Sequence, residues 1–294
     1  MTEIPSFYAL GLIGHPLEHS LSPQLHHAGL DALGLEGEYR LYEIPPFPDG
    51  EEMLVELLTR VRKGKIHGLN VTIPHKQNVI PLLDEMTPTA EAIGAVNTIV
   101  ARGGQLIGDN TDAPGFWADV CQRLNAHTFE HSSALILGAG GAARAVAYAL
   151  LSEGWSVIVA ARRPEQVRNL CDQFSAFGGQ ISAAKFSNYP LSTPHSPLPN
   201  PHYKLLVNCT PVGMHPYVGA SPWPQDLAFP PDAAVYDLVY NPRQTCLVRE
   251  ARAAGLPAVT GLGMLVEQAA LAFDRWVGRD APREAMWAAV NIER

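Results

Sequence analysis

Several kinds of residue are scarce in this chain, and each scarcity excludes a class of function. Its four cysteines, Cys121, Cys171, Cys209 and Cys246, stand far apart with no C-x-x-C pair. That spacing offers neither a zinc knuckle nor dithiol exchange, and reduced thiols of a cytoplasmic protein are expected. Basic residues are also short: 21 Lys plus Arg face 29 Asp plus Glu, a net charge of -8. A chain so poor in cations is not expected to partner nucleic acid or an anionic membrane surface, because both need many phosphates neutralised. No apolar run approaches the roughly 18 residues of a membrane helix. The opening MTEIPSFYALGLIG carries Glu3 and strand-like residues instead of the basic-then-apolar pattern of a secretory leader. Eleven histidines are present but no H-E-x-x-H. Pro16 breaks the helical spacing of His15 and His19, and the adjacent His26 and His27 point in different directions, so no metal is expected.

What is present reads as an ordinary globular protein. Apolar residues make up 47% and mean hydropathy is zero. At 294 residues the chain has about twice the usual domain length, and two domains are expected. Strands are read at Tyr8–Gly14, Tyr39–Ile44 and Gly68–Ile73, and a hairpin over Val96–Asp109 turns at Arg102-Gly103-Gly104. Between them, Ser22 reads as the cap and Pro23 as the first residue of a helix ending near Gly34. A second helix opens near Asp49 with Met53, Leu54, Leu57, Leu58 and Val61 at helical spacing, and Pro74 is read as opening a third. Alternating strands and helices predict an α/β fold with a mostly parallel sheet. A helix over Ala113–Leu124 leads to a second unit with strands at Ala134–Gly138, Ser156–Ala161, Leu205–Asn208, Val235–Asp237 and Ala258–Gly261. Helices follow Gly140 and Pro164, and two more close the chain over Gly263–Val277 and Pro282–Ile292. The stretch Tyr189–Pro201 carries five prolines and reads as a surface loop.

The sharpest local motif is Gly138-Ala139-Gly140-Gly141-Ala142-Ala143, a G-x-G-x-x-A that follows a buried strand and opens a helix. Gly138 permits the tight turn, Gly140 a close backbone approach to a pyrophosphate, and Ala143 close helix-to-strand packing. The helix N-terminus adds unpaired N–H groups and a positive dipole end. The next strand selects the dinucleotide. An NAD site places an acid there for the ribose hydroxyls, but this strand ends Ala160-Ala161-Arg162-Arg163. A guanidinium binds a 2′-phosphate that a carboxylate would repel, so NADP(H) is the expected cofactor.

The first unit places polar residues at strand ends: Ser20 and Ser22, then Asn70, Thr72 and Lys76, then Asn97, then Asp112. Open α/β sheets bind ligands there. Taken singly, each has an ordinary structural use, Ser22 as a cap, Asn70 and Thr72 in turns, Lys76 on a solvated helix face. In order along the chain, however, HSLSP, NVTIPHK, GAVNT, GDNTD, GAGGAARA, NCTPVGM, YDLVY and GLGMLVEQA together resemble the shikimate dehydrogenases.

The resemblance implies a substrate-binding domain over residues 1–112, completed by helices in 263–294, and a Rossmann NADP-binding domain over 113–262. It implies that Ser20 and Ser22 hold the substrate carboxylate with Thr72 and Tyr240, that Asn97, Asp112 and Gln268 bind ring hydroxyls with Asn70 nearby, and that Lys76 and Asp112 are the catalytic pair. Gly138, Ala139, Gly140, Gly141 and Ala142 would cradle the pyrophosphate, and Arg162 with Arg163 the 2′-phosphate. Thr210, Val239 and Gly261 would flank the nicotinamide. The reaction implied is reversible reduction of 3-dehydroshikimate to shikimate by NADPH, in a cytoplasmic monomer or homodimer of the shikimate pathway. A quinate/shikimate dehydrogenase using NAD or NADP, or a catalytically silent sensor of either acid on the same fold, shares the motifs. The first is disfavoured by Arg162 and the second by the presence of Lys76 and Asp112. Two features depart from the family: Ala161-Arg162-Arg163 where Asn-Arg-Thr is usual, and a longer proline-rich stretch. The charge deficit is itself local. Residues 1–112 hold 7 basic and 15 acidic residues, while 113–260 hold 10 and 9.

Overall fold

The computed structural model describes residues 5–126, 132–176, 178–184 and 203–291. The proline-rich stretch 189–201 lies outside them. The chain divides into two compact units, Met1–Gly115 with Val266–Arg294, and Phe116–Leu265.

The first unit is built on β1 (Tyr8–Gly14), α1 (Ser22–Ala32), β2 (Gly37–Glu43), α2 (Glu51–Arg62), β3 (Gly68–Val71), β4 (Glu85–Met86), α3 (Pro88–Ile93), β5 (Thr98–Arg102) and β6 (Gln105–Asp109). Its sheet has the order β2-β1-β3-β5-β6-β4. β1 pairs parallel with β2 and β3, β5 is antiparallel to β3 and β6, and β4 is parallel to β6. β1 and β3 are buried along nearly their whole length, as interior strands covered on both faces are. α2 shows how its residues make a helix. Glu51 and Glu52 sit in its first turn, Arg60 and Arg62 in its last, which suits the dipole, and Leu54, Leu57, Leu58 and Val61 bury one face. That face meets Ile13, Leu69, Val71, Ile99 and Leu106 in one core.

The second unit follows α4 (Asp112–Leu124) and contains β7 (Ser133–Leu137), α5 (Gly141–Ser152), β8 (Ser156–Ala160), α6 (Pro164–Ala176), β9 (Ile181–Ala183), β10 (Leu205–Asn208), β11 (Ala234–Asp237), α7 (Cys246–Ala253) and β12 (Ala258–Thr260). The chain ends in α8 (Leu262–Val277) and α9 (Arg283–Val290). The sheet order is β12-β11-β10-β7-β8-β9, with every pairing parallel. In local numbering this is 6-5-4-1-2-3, the doubly wound order, and its switch point lies between β7 and β10.

Two local readings of the sequence are corrected. No helix follows Pro74: residues 73–79 form successive turns that end in a single 3-10 turn, Ile80–Leu82. Pro81 removes an N–H that a helix would need, and the Lys76 carbonyl is taken by the N–H of Val96 at 2.8 Å. Ser22 is not the cap of α1 but its first residue. Leu21 holds the cap position with no side-chain bond, and Ser22 N donates to Ser20 Oγ at 3.3 Å.

Candidate active site

In the first unit β1, β3 and β6 run in the same direction, so their carboxyl ends share one edge of the sheet. Ser20 and Ser22 follow β1, Thr72 and Lys76 follow β3, and Asp112 follows β6. Asn97 joins them because β5, which it precedes, runs antiparallel to β3 and pairs Thr98 with Asn70. The bond from Val96 N to Lys76 O fastens the Lys76 turn beside Asn97.

The side chains converge on Asp112. Lys76 Nζ lies 2.5 Å from its Oδ2, and the two side chains are 13% and 6% exposed. Asn97 Nδ2 donates to Oδ1 at 2.9 Å, and also approaches Thr111 Oγ1 at 2.9 Å and Gln268 Oε1 at 3.3 Å. Asp112 opens α4, where the dipole favours a negative charge, and its N–H is held by Asn110 Oδ1 at 3.1 Å. Gln268 belongs to a different stretch of chain and is brought here by α8. Arg275 Nε bonds Asp109 Oδ2 at 2.9 Å and Trp276 Nε1 donates to Ile99 O at 3.0 Å, fixing the later turns of that helix. Burial opposes the Asp109 charge, yet Arg275, Thr87 and the Asn110 N–H together hold its carboxyl below the usual range. Thr98, Asn110 and Thr111 were not singled out from the sequence, though GAVNT and GDNTD contain them. Their signal is polarity at positions that the strand pattern buries.

A half-buried ammonium held against a carboxylate, with amides fixed around both, can stabilise a developing alkoxide and pass it a proton. Buried pairs of this kind cost desolvation and are weak as a source of stability.

In the second unit the turn after β7 has a different character. Gly138 adopts φ +116°, and a Cβ there would come 3.1 Å from Cys209 O, so the protein itself demands glycine. Gly140 is extended, and a Cβ on it would meet nothing within 4 Å. Among the described residues nothing fills that space, which suits a bound group lying against the backbone. α5 begins at the next residue with no side-chain cap and no acid in its first turn. Its leading N–H groups are donors of the kind that could hold a pyrophosphate. Arg162 and Arg163 are exposed just beyond β8, after Ala160 and Ala161.

The loops after β10 and β11 are shaped from behind by buried side chains. Asn208 Oδ1 accepts from Thr210 N at 3.0 Å and Thr210 Oγ1 at 2.7 Å, while Asn208 Nδ2 donates to Asp237 Oδ1 at 2.8 Å. Asp237 also accepts from Val239 N at 3.1 Å and Thr245 Oγ1 at 2.6 Å. Burial pushes its carboxyl up to about 6 despite these bonds. Burial and Asp237 together raise the Cys209 thiol well above its usual value. Gly261 packs so closely that a Cβ would lie 2.6 Å from Leu238 O. Tyr240 follows β11 in this unit and is partly exposed. Among the described residues no three His, Cys, Asp or Glu side chains are grouped to hold a metal, and no helix is long and apolar enough to cross a membrane.

Comparisons with known proteins place this geometry. Residues 12–99 match the shikimate dehydrogenase substrate binding domain, 121–191 the shikimate / quinate 5-dehydrogenase model, and 261–290 the shikimate 5'-dehydrogenase C-terminal domain. The NADP(+) shikimate dehydrogenase of Salinibacter ruber is 42% identical over 287 residues, covering 96% of each chain. A crystal structure of the Thermus thermophilus shikimate 5-dehydrogenase, in complex with NADP(H) and shikimate, is 40% identical with a TM-score of 0.79, over 96% of this chain and 98% of that one. The Corynebacterium glutamicum quinate dehydrogenase, in complex with NAD, is 31% identical with a TM-score of 0.82, over 96% and 98%. On sequence, domain models and fold together, the chain belongs to the shikimate dehydrogenase family.

Proposed function

We propose that this chain is an NADP-dependent shikimate dehydrogenase, an oxidoreductase that reversibly reduces 3-dehydroshikimate to shikimate in the pathway to chorismate and the aromatic amino acids. The observation that carries this reading is the Lys76–Asp112 pair, 2.5 Å apart and largely shielded from water, at a sheet edge lined by hydroxyls and amides.

NADPH, when bound, supplies the hydride to the C3 carbonyl carbon. Lys76 stabilises the oxygen on which charge then grows and gives it a proton; in the other direction it takes the proton back. Asp112 holds the ammonium in place and accepts a hydrogen bond from a substrate hydroxyl. Gln268 offers its amide to the ring hydroxyls; Asn97 is placed with it by the resemblance, and its amide bonds inside the protein to Asp112, Thr111 and Gln268. Ser20, Ser22 and Thr72 hold the carboxylate by hydroxyl donors, so it is bound without a second buried cation; the motif adds the phenol of Tyr240. The backbone of Gly138, Ala139, Gly140, Gly141 and Ala142 receives the pyrophosphate. Arg162 and Arg163 receive the 2′-phosphate, and Thr210, Val239 and Gly261 border the nicotinamide. Asn70 is placed with the substrate groups by the resemblance, but both N–H bonds of its amide are spent inside the protein. The enzyme works in the cytoplasm as a monomer or homodimer.

A rate assay crossing shikimate and quinate with NADP and NAD tests the reading. Turnover of shikimate with NADP should exceed every other combination. Preferred turnover of quinate with NAD would assign the chain to the family's other activity, and no turnover of either acid would leave a sensor.

A further inference from the structure

Two adjacent histidines and one tyrosine in the first unit have no part in the chemistry above, yet they are built around it. Tyr39, on β2, is 4% exposed, and its hydroxyl donates to Asn70 Oδ1 at 2.8 Å, reaching past β1 to β3. Both sides of the tyrosine are held by α1. Its ring lies flat on that of fully buried His26, with centroids 4.3 Å apart and planes at 4°, and its backbone N–H donates to His27 Nε2 at 3.2 Å. Among the described residues neither ring nitrogen of His26 makes a hydrogen bond of good geometry, although the Asn70 side chain lies near enough to favour the charged ring, and the side chain serves mainly as a packing plate.

From Asn70 the bonds continue in one direction. Asn70 Nδ2 donates to Thr98 Oγ1 at 3.3 Å and to Asn97 O at 3.2 Å. Thr98 Oγ1 donates to Asn97 Oδ1 at 3.0 Å, and Asn97 Nδ2 donates to Asp112 Oδ1 at 2.9 Å. Every donor in the series faces Asp112. Lys76 reaches the same carboxylate from its other oxygen. Hydrogen bonds aligned in this way polarise one another, and all the members after Tyr39 are buried, so no water substitutes for a missing link.

We infer that Tyr39 is a positioning residue for the reduction: its hydroxyl fixes the Asn70 amide, which through Thr98 and Asn97 sets the carboxylate of Asp112 against Lys76. The inference rests on the reading of Lys76 and Asp112 given above. Without the hydroxyl, Asn70 Oδ1 loses a donor at 2.8 Å. Its Nδ2 bonds to Asn97 O and Thr98 Oγ1 remain, but the oxygen side of the amide is no longer pinned, which loosens the bond that orients Thr98 and, together with the Thr111 N–H at 2.7 Å, Asn97 Oδ1. A ring held only for packing would not need the hydroxyl.

The test compares Tyr39→Phe, Thr98→Val and Thr98→Ser in the full chain. Tyr39→Phe keeps the ring and its stacking. It should lower kcat with shikimate about tenfold, with KM for NADP within twofold of the parent, as expected for loss of one oriented bond. Thr98→Val breaks the same series further along and should reproduce that split, whereas Thr98→Ser, which keeps the hydroxyl, should restore kcat to within twofold. The threonine pair decides the matter should Tyr39→Phe fail to fold. In protein labelled at asparagine nitrogen, the side-chain amide signals of Asn70 and Asn97 should shift together in Tyr39→Phe, whatever substrate the enzyme takes. Unchanged kcat in Tyr39→Phe and Thr98→Val, or an Asn97 amide signal unmoved by the loss of the Tyr39 hydroxyl, would overturn the inference. A parent chain inactive on shikimate whose Asn97 signal still shifts would instead overturn the assigned reaction.

Discussion

In residues 1–115 with 266–294, the polar groups proposed to meet the substrate are side chains that bond to one another, whereas in residues 116–265 the groups proposed to meet the cofactor are mainly backbone, and side chains set them from behind. Lys76, Asn97 and Gln268 reach Asp112 directly or through one another. Asp237 faces inward instead, fixing Thr210 through Asn208 and Val239 through its N–H. The difference follows from the ligands. A small hydroxy acid is recognised hydroxyl by hydroxyl, which needs donors and acceptors of individual reach. A pyrophosphate is recognised as a charge with many oxygens, for which a helix N-terminus and a close glycine turn suffice.

That contrast makes Lys76 the most damaging single loss. Replacing it by Met keeps much of the stem and removes the ammonium. kcat should fall by roughly 10²- to 10⁴-fold with a smaller change in KM, as for a proton donor acting in the transition state. Steady-state rates with saturating NADP would show it. A variant within tenfold of the parent would break the assignment of the chemistry to this side chain.

Arg162 is proposed as the second unit's exception, a side chain offered to one feature of the ligand. Arg162→Ser should raise KM for NADPH about ten- to a hundredfold while leaving KM for NADH within twofold, because a bond to a charged phosphate is at stake only with the first. Equal losses for both cofactors would remove the phosphate from the account of this residue, and Arg163→Ser measured beside it would show which guanidinium carries the effect.

The same contrast explains what could be read in the sequence. The β7 turn was legible because Gly138 and Gly140 declare a backbone geometry by residue type, and the buried strands Tyr8–Gly14 and Leu205–Asn208 by unbroken apolar runs. The turn at Pro74 was misread as a helix because its decisive bond, from Val96 N to Lys76 O, spans twenty residues and leaves no local mark. Short elements were missed for lack of period, although Thr87-Pro88 before α3 and Thr245 before α7 are caps that accept from Ala90 N and Val248 N. In the site, the ends of the network carried motif residues, whereas Tyr39 and His26 looked like an ordinary strand tyrosine and helix histidine. What distinguishes Tyr39 is burial and a partner two strands away, and His26 its full burial flat against the Tyr39 ring.

Each unit also buries a titratable side chain, and the two should respond to pH with opposite sign. Burial lowers His26 to about 3 from 6.5, the Asn70 side chain opposing the shift and neighbouring His27 adding to it. The unfolded chain therefore binds a proton that the folded one refuses. The contribution is neutral above pH 6.5 and turns destabilising as pH falls, by about 2 kcal/mol between pH 8 and pH 5. Urea unfolding of the parent and of His26→Phe at both pH values measures it as the difference of differences, and parallel pH trends in the two proteins would remove His26 from the account.

Asp237 supplies the converse and smaller effect. Its carboxyl stands at about 6 in the fold against 3.8 unfolded, so the folded chain holds the proton more tightly. That stabilisation is full below pH 3.8 and is lost as pH rises through 6; between pH 5 and pH 8 it amounts to about 1 kcal/mol. Asp237→Asn keeps the shape and one oxygen to accept from Asn208 and Val239, while its amide nitrogen can only donate to Thr245 Oγ1; it cannot titrate, so its stability should not show that loss. Protonation also weakens Asp237 as an acceptor from Asn208 Nδ2 and Val239 N, the two bonds that set the loops proposed to border the nicotinamide. KM for NADPH in the parent should therefore rise by a few-fold as pH drops from 7 to 5, and stay level in Asp237→Asn. A rise of equal size in both proteins would place the titrating group elsewhere and leave the second unit with a clamp that does not respond to pH.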